Sequence, residues 1–251
     1  MAAIDIFKFT RRRALTIVAT TLCVTACAPT RVAPVETYSG PRLAPPDIVL
    51  VEDFAVDPSE VKLDRGLRSR LTGLFASEST DQREREVGRK VAVALRDTLV
   101  EEVRKMGLAA DAAGTAPATG GRRLFVAGQL LSVDQGNATR RNLIGLGAGR
   151  SGVDAAAQLY YAGAGERERL LESFEAEAES SRKPGAAETM GAGAAAGRVA
   201  ASAATGTALS AYSEATSANV DAEGKRIGRE LAKRLGTFFA QQGWIAAPPA
   251  E

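Results

Sequence analysis

The chain has 251 residues, a quarter of them charged, with 32 basic and 30 acidic side chains, two cysteines and no histidine. Without histidine, Ser-His-Asp and Cys-His catalysis and histidine-ligated metals are excluded. The near balance of charge argues against a nucleic-acid binder, which carries a basic excess or stripe.

Lys8, Arg11, Arg12 and Arg13 precede an apolar run from Ala14 to Val24. A basic segment followed by about ten apolar residues reads as a secretory signal; a spanning helix needs about twenty. Val24, Thr25, Ala26 and Cys27 close the run, with a small residue before the cysteine and an aliphatic one three residues ahead of it. These four residues resemble a lipobox, the signature of bacterial lipoproteins, and imply cleavage between Ala26 and Cys27. Two other readings stay open: an ordinary signal with a cysteine near its end, and a twin-arginine signal over Thr10 to Leu15 with Ala14 in place of the usual aromatic residue.

Cleavage would remove residues 1–26, and with them Cys23, Asp5 and the four basic residues, leaving 28 basic against 29 acidic. Cys27 would then be the sole cysteine, so no internal disulfide can form. As in the lipoproteins it resembles, Cys27 would carry a covalent lipid, and no other cofactor is expected. Two or three acyl chains, at roughly 0.8 kcal/mol per buried methylene, make such attachment effectively permanent. Ala28, rather than aspartate, follows the cysteine, which resembles the pattern sent to the outer membrane.

Residues 27–46 contain Pro29, Pro34, Pro41, Pro45 and Pro46 and little hydrophobic pattern, which reads as an extended tether. The folded domain is expected over 47–245, with an exposed tail at 246–251. Asp47 to Val56 holds Ile48, Val49, Leu50 and Val51 in succession, the mark of a central strand or one covered on both sides. Asp57, Pro58 and Glu60 then predict a capped helix with Leu63, Leu67, Leu71, Leu74 and Phe75 on one stripe. From about Arg83, Val87, Val91, Leu95, Leu99 and Val103 recur every four residues, and Gly107 stops the amphipathic helix they predict. A brief edge strand over Leu108 to Ala110 and a loop over Asp111 to Gly121 follow.

Arg122 to Gln135, Val153 to Tyr161 and Arg169 to Ser180 are β-prone. The last two alternate with period two, and Gly163 to Gly165 turns one into the other. These strands predict an antiparallel meander, with the first strand beside or between them. Gly128 falls in mid-strand, where glycine marks a bulge or a close backbone approach. Leu170, Phe174, Ala176 and Ala178 are expected on one face and Glu175, Glu177 and Glu179 on the other. That acidic face reads as solvated, since a cation would need further oxygens that the sequence does not signal.

Gly136 to Gly152 (GNATRRNLIGLGAGRSG) is the most unusual stretch of the mature chain. A phosphate-binding loop fails on spacing, because Ile144 stands where the first glycine belongs and Arg150 replaces the lysine. The dinucleotide fingerprint fails on context, because a strand and not a helix follows. A long hairpin connection that docks on the domain or on a partner remains, with Asn137, Arg140, Gly145, Gly147, Gly149 and Arg150 as its candidate partner-binding residues.

Gly128, Gly136, Asn137, Arg140, Ile144, Gly145, Gly147, Ala148, Gly149, Arg150 and Ser151 together resemble the central motif of the bacterial lipoprotein family called domain of unknown function 4410. Asp53 and Phe54, and a small-residue segment before a final amphipathic helix, also fit; Leu146 stands where an aromatic is expected. The resemblance covers roughly Ile48 to Trp244 and implies architecture and location but no chemistry, since the family carries no established activity. Its layout is similar to the amino-terminal domain of TolB and to curli-secretion lipoproteins, a fold-level analogy only.

Gly185 to Tyr212 is almost all Gly, Ala, Ser and Thr, and Gly193, Gly197, Ala201 and Thr205 are spaced by four. Such a ridge lets helices approach closely. Arg198 in its middle argues against a membrane span, where an unpaired arginine costs about 2.5 kcal/mol or more. A small-residue helix or helical loop against the sheet or another subunit is expected. Asn219 is positioned to cap the last helix, whose stripe is Val220, Ile227, Leu231, Leu235, Phe238 and Phe239, and Gly243 ends it.

The sum is an α/β (α+β) two-layer sandwich: a mostly antiparallel sheet of about four strands under two long amphipathic helices. The expected role is that of a non-catalytic, lipid-anchored component on the periplasmic face of the outer membrane, binding protein partners or assembling with itself. A carboxylate-pair hydrolase acting on envelope carbohydrate or lipid fragments, and a pore or secretion-accessory subunit, are the alternatives.

Overall fold

The computed structural model describes residues 30–64, 79–114, 121–137, 140, 149–180 and 207–246, with side chains of the last segment described from Val220 onward. In chain order the strands are β1 (Thr30–Glu36), β2 (Ile48–Val51), β3 (Ala55–Val56), β4 (Val61–Lys62), β5 (Ala110–Ala112), β6 (Arg123–Asp134), β7 (Gly152–Ala162) and β8 (Arg169–Glu179). Helix α1 (Thr80–Lys105) lies between β4 and β5, and α2 (Thr207–Gln242) closes the fold. All eight strands share one mixed sheet, in the order β1-β8-β7-β6-β2-β5, with β3 and β4 continuing along β6 beyond β2. The long strands β6, β7 and β8 form the predicted antiparallel meander, while β2, β3, β4 and β5 pair in parallel. The expected four strands therefore understate the sheet: β3 and β4, of two residues each, carry too little pattern to be seen in a sequence, and β1 lies in the proline-rich stretch.

The run Ile48 to Val51 is central because α1 crosses over and returns the chain to its far side as β5. Val49 and Val51 face the helices, and Leu50 joins Phe125 and Ala162 in a small cluster separate from the main core. Beyond β2 the chain arches over β6, and the Phe54 ring lies where a Gly128 side chain would stand. The close approach expected at Gly128 is thus real.

Ser79 caps α1, accepting from the Gln82 amide, and Gly107 ends it with φ +90°. All five residues of the predicted stripe are buried. Helix α2 runs parallel to α1, with Gly224 against the Val91 carbonyl and Gly228 against Leu95 and Thr98. Both helices bury their stripes in one continuous core against the same face of the sheet.

Several expectations are corrected. Thr30–Glu36, read as part of a tether, is an edge strand antiparallel to β8, so the folded domain includes residues ahead of 47. Where a helix was expected straight after Asp57, Asp57 caps a 3-10 turn over Pro58–Glu60 that is followed by β4; the rest of that expected stripe, from Leu67 to Phe75, lies outside the described residues. The edge strand is Ala110–Ala112, two residues later than expected. Asn219 is not a cap, because α2 starts twelve residues earlier at Thr207. Leu170 is exposed, because a register shift near Leu159 and Tyr160 flips the phase of β8 and buries Leu171 instead. No described helix is long and apolar enough to cross a membrane.

Candidate functional site

The connection between β6 and β7 leaves the sheet through a built stem. At Gly136 (φ +67°) and Gly149 (φ +69°) the backbone adopts a conformation that side chains disfavour. A Cβ on Gly136 would collide with the carbonyls of Gly149 and Arg150, and one on Gly149 with the carbonyl of Asn137. The two arms are therefore packed backbone to backbone, and the Asn137 amide donates to the Gly149 carbonyl at 3.0 Å.

Side chains lock this arrangement. Asp134 accepts the Gly136 amide at 2.7 Å, and Asn137 Oδ1 accepts the Arg140 amide at 2.9 Å. Arg150 pairs with Glu179 of β8 at 2.6 Å, and Ser151 exchanges bonds with Ser180, also on the β8 side. Below the stem, the Ser151 hydroxyl donates to Glu223 Oε1 of α2 at 2.7 Å. Arg226 reaches the Glu179 carbonyl at 2.9 Å and lies 3.7 Å from Glu223. Glu223 is almost completely buried. Loop stem, last residues of β8 and α2 thus form one polar joint at one end of the sheet.

Of the candidate residues, the structure brings Asn137, Arg140, Gly149 and Arg150 together in this stem. Gly145, Gly147, Ala26 and Cys27 lie outside the described residues, as does the 185–206 part of the small-residue segment. Sequence reasoning missed Ser151, Glu179 and Glu223 as partners in the joint. The available signal was Glu223 itself, an acid three residues after Val220 and four before Ile227, on the buried stripe of an amphipathic helix.

Two clefts lie on the opposite side of β6. One, of about 350 Å³, is lined by Asp53, Phe54, Arg85 and Arg89 among others, and Asp53 is engaged by Arg96. The second, of about 580 Å³, is bordered by Asp57 and Glu60. Asp57 accepts both the amide and the hydroxyl of Ser59, at 2.9 and 2.8 Å, which holds its carboxyl below the usual carboxylate range. A glycosidase-type acid needs a shift in the other direction. The acidic residues on the outer face of β8 do not converge either, and no group of three potential metal ligands occurs among the described residues.

No curated protein matches the chain at a significant level. Among solved structures it is similar to the PelC dodecamer from Paraburkholderia phytofirmans, at 12% identity and a TM-score of 0.37, over 79% of this chain and 95% of that one. The glycine stem and the strands around it fall within residues 49–197, which match the family described as domain of unknown function (DUF4410), and the chain belongs to that family.

Proposed function

We propose that this protein is a lipid-anchored, non-catalytic component of the periplasmic face of the outer membrane, which assembles with itself or with protein partners. The observation that carries this reading is the arrangement of the described helices on the sheet. Both helices pack on one face of an eight-stranded sheet. On the other face, Gln129, Gln158, Glu175 and Glu177 stand exposed around small residues such as Ala127 and Ala156. Small side chains at the centre of this face let another protein surface approach closely, and the polar residues around them suit an interface that forms between folded units.

Native mass spectrometry of the full-length protein extracted in mild detergent tests this. The expected result is a defined oligomer or a stoichiometric complex, with diacylglycerol on the amino-terminal Cys27. Ala156→Arg, which sets a long charged side chain at the centre of the open face, should reduce the assembly to monomer without lowering the melting temperature. A lipidated monomer for the unmodified protein, in both detergent and native vesicles, would overturn the assembly reading.

A further inference from the structure

We propose that the end of the sheet carrying the loop stem faces the bilayer, so that the partner of this stem is a surface of phospholipid headgroups. The inference rests on the acylation of Cys27 proposed above. Its carrying observation is the position of β1. Thr30, the first residue of β1, pairs with Ala178, and Ala178 pairs with Val153 at the start of β7. Thr30 therefore lies level with Gly152, Glu179 and the stem. Only Ala28 and Pro29 separate it from Cys27. Three residue steps reach at most about 11 Å even when fully extended. A chain expected to act as a long tether instead enters the sheet almost at once, and it does so at the stem end.

The length of α2 adds a second constraint. Glu223 is level with the stem through its bond to Ser151, and at the other end Trp244 stacks on Tyr161 near the close of β7. The helix therefore runs alongside β7, and its first residue, Thr207, precedes Glu223 by sixteen positions. At 1.5 Å per residue that is about 24 Å of helix reaching past the stem. The projection is more than twice the reach of the lead from Cys27. The domain must therefore tilt, so that α2 lies aslant over the headgroups, while the short lead from Cys27 keeps the corner of the sheet that carries Thr30 and the stem against them. Exposed Arg140 and Arg31, the latter opposite Glu177 of β8, sit there, and each guanidinium can donate to lipid phosphate. The hairpin at Gly163 to Gly165 lies at the opposite end of β7, about 33 Å away along the strand. The open face of the sheet stands between the two ends and stays accessible to a protein partner.

The test uses the processed, full-length protein. Acylation would block Cys27, so a single introduced cysteine carries the only label. Arg140→Cys at the stem, Arg31→Cys on β1 and Glu166→Cys at the hairpin are each labelled with an environment-sensitive fluorophore. Each is then reconstituted in phosphatidylethanolamine and phosphatidylglycerol vesicles that contain headgroup spin-labelled lipid. Labels at 140 and 31 should lose most of their emission, and the label at 166 should keep its emission. Unchanged melting temperatures of the three variants establish that they are folded. Equal quenching at all three positions, or stronger quenching at 166, would overturn the orientation. The mass of the amino-terminal peptide separates the two readings. A lipid-bearing Cys27 with an unquenched label at 140 sinks the orientation alone, while a Cys27 without lipid sinks the anchor and the orientation together.

Discussion

The two ends of the sheet close the same core with different chemistry. At the hairpin end, Trp244 stacks on Phe239 and Tyr161 at 5.6 and 6.4 Å and meets Phe238 edge-on at 5.5 Å, while Tyr38 packs edge-on against Phe238. Trp244 Nε1 donates to the Leu43 carbonyl, and the Tyr161 hydroxyl to that of Ala44, so the rings also latch the segment joining β1 to β2. At the stem end, glycine backbone, an ion pair and a buried Ser151–Glu223 bond take the place of aromatic rings. Rings bury large area and tolerate imperfect geometry. A glycine stem buries little and depends on backbone shape. The hairpin end thus supplies stability, while the stem end fixes how a loop is presented.

The largest expected effect comes from breaking the aromatic end. Phe239 is fully buried, and Phe239→Ala removes a side chain whose loss costs about 3–5 kcal/mol in a packed core. In a domain of this size that lowers the melting temperature by about 10 °C. Thermal unfolding followed by the sole tryptophan, Trp244, reads it directly. A loss of only a degree or two would mean that the ring cluster is loosely packed and that the hairpin end is not the main source of stability.

Gly149→Val at the stem should cost less in stability and more in shape. It places a branched side chain at φ +69° against the Asn137 carbonyl, a strain of about 1–3 kcal/mol. Because the strain is local, the emission of Trp244 at the other end should not change. Hydrogen exchange should quicken at Asn137 and Arg140, whose amides are bonded within the stem. Retained protection at those two amides would show that the stem does not depend on its glycines.

The same contrast explains what could be read from the sequence. Helix α1 was legible because its apolar residues repeat over five turns and a glycine stops it, and the meander because β7 and β8 alternate with period two. Strand β1 was not legible. Val32 is its only buried side chain, and Pro34 falls beside a register shift where the ladder is already broken, so half of an edge strand looks like proline-rich linker. The start of α2 was missed for a related reason. Residues 207–219 carry no apolar stripe, and Asn219 mimics a cap where the stripe begins. At the stem, the glycine-rich stretch stood out at once, but nothing in the spacing separates Gly136 and Gly149, which turn the chain, from the glycines between them. The bonds from Ser151 to Glu223 and from Arg150 to Glu179 join residues 72 and 29 positions apart, and only the fold brings such pairs together.

The smallest effect sharpens the comparison through a polar group at the aromatic end. Glu172 is buried on β8 opposite Leu159, where its carboxylate accepts the Tyr38 amide. Burial pushes its carboxyl above the ordinary value of 4.5, and the Tyr38 bond opposes that only in part. Between 4.5 and the raised value, the folded protein holds a proton that the unfolded chain has released. Stability therefore falls as pH rises through this window and levels off above it. Glu172→Gln keeps an oxygen for the Tyr38 amide and removes the charge. The variant should melt like the parent near pH 4 and about 2 °C higher at neutral pH, a shift that less than about 1 kcal/mol produces in a domain of this size. Asp57 and other exposed acids with lowered values act in the opposite direction, but they are common to both proteins and cancel in the difference. A difference in melting temperature that does not change between pH 4 and 7 would mean that Glu172 stays charged beneath the rings, and that the aromatic end tolerates a buried carboxylate as readily as the stem does at Glu223.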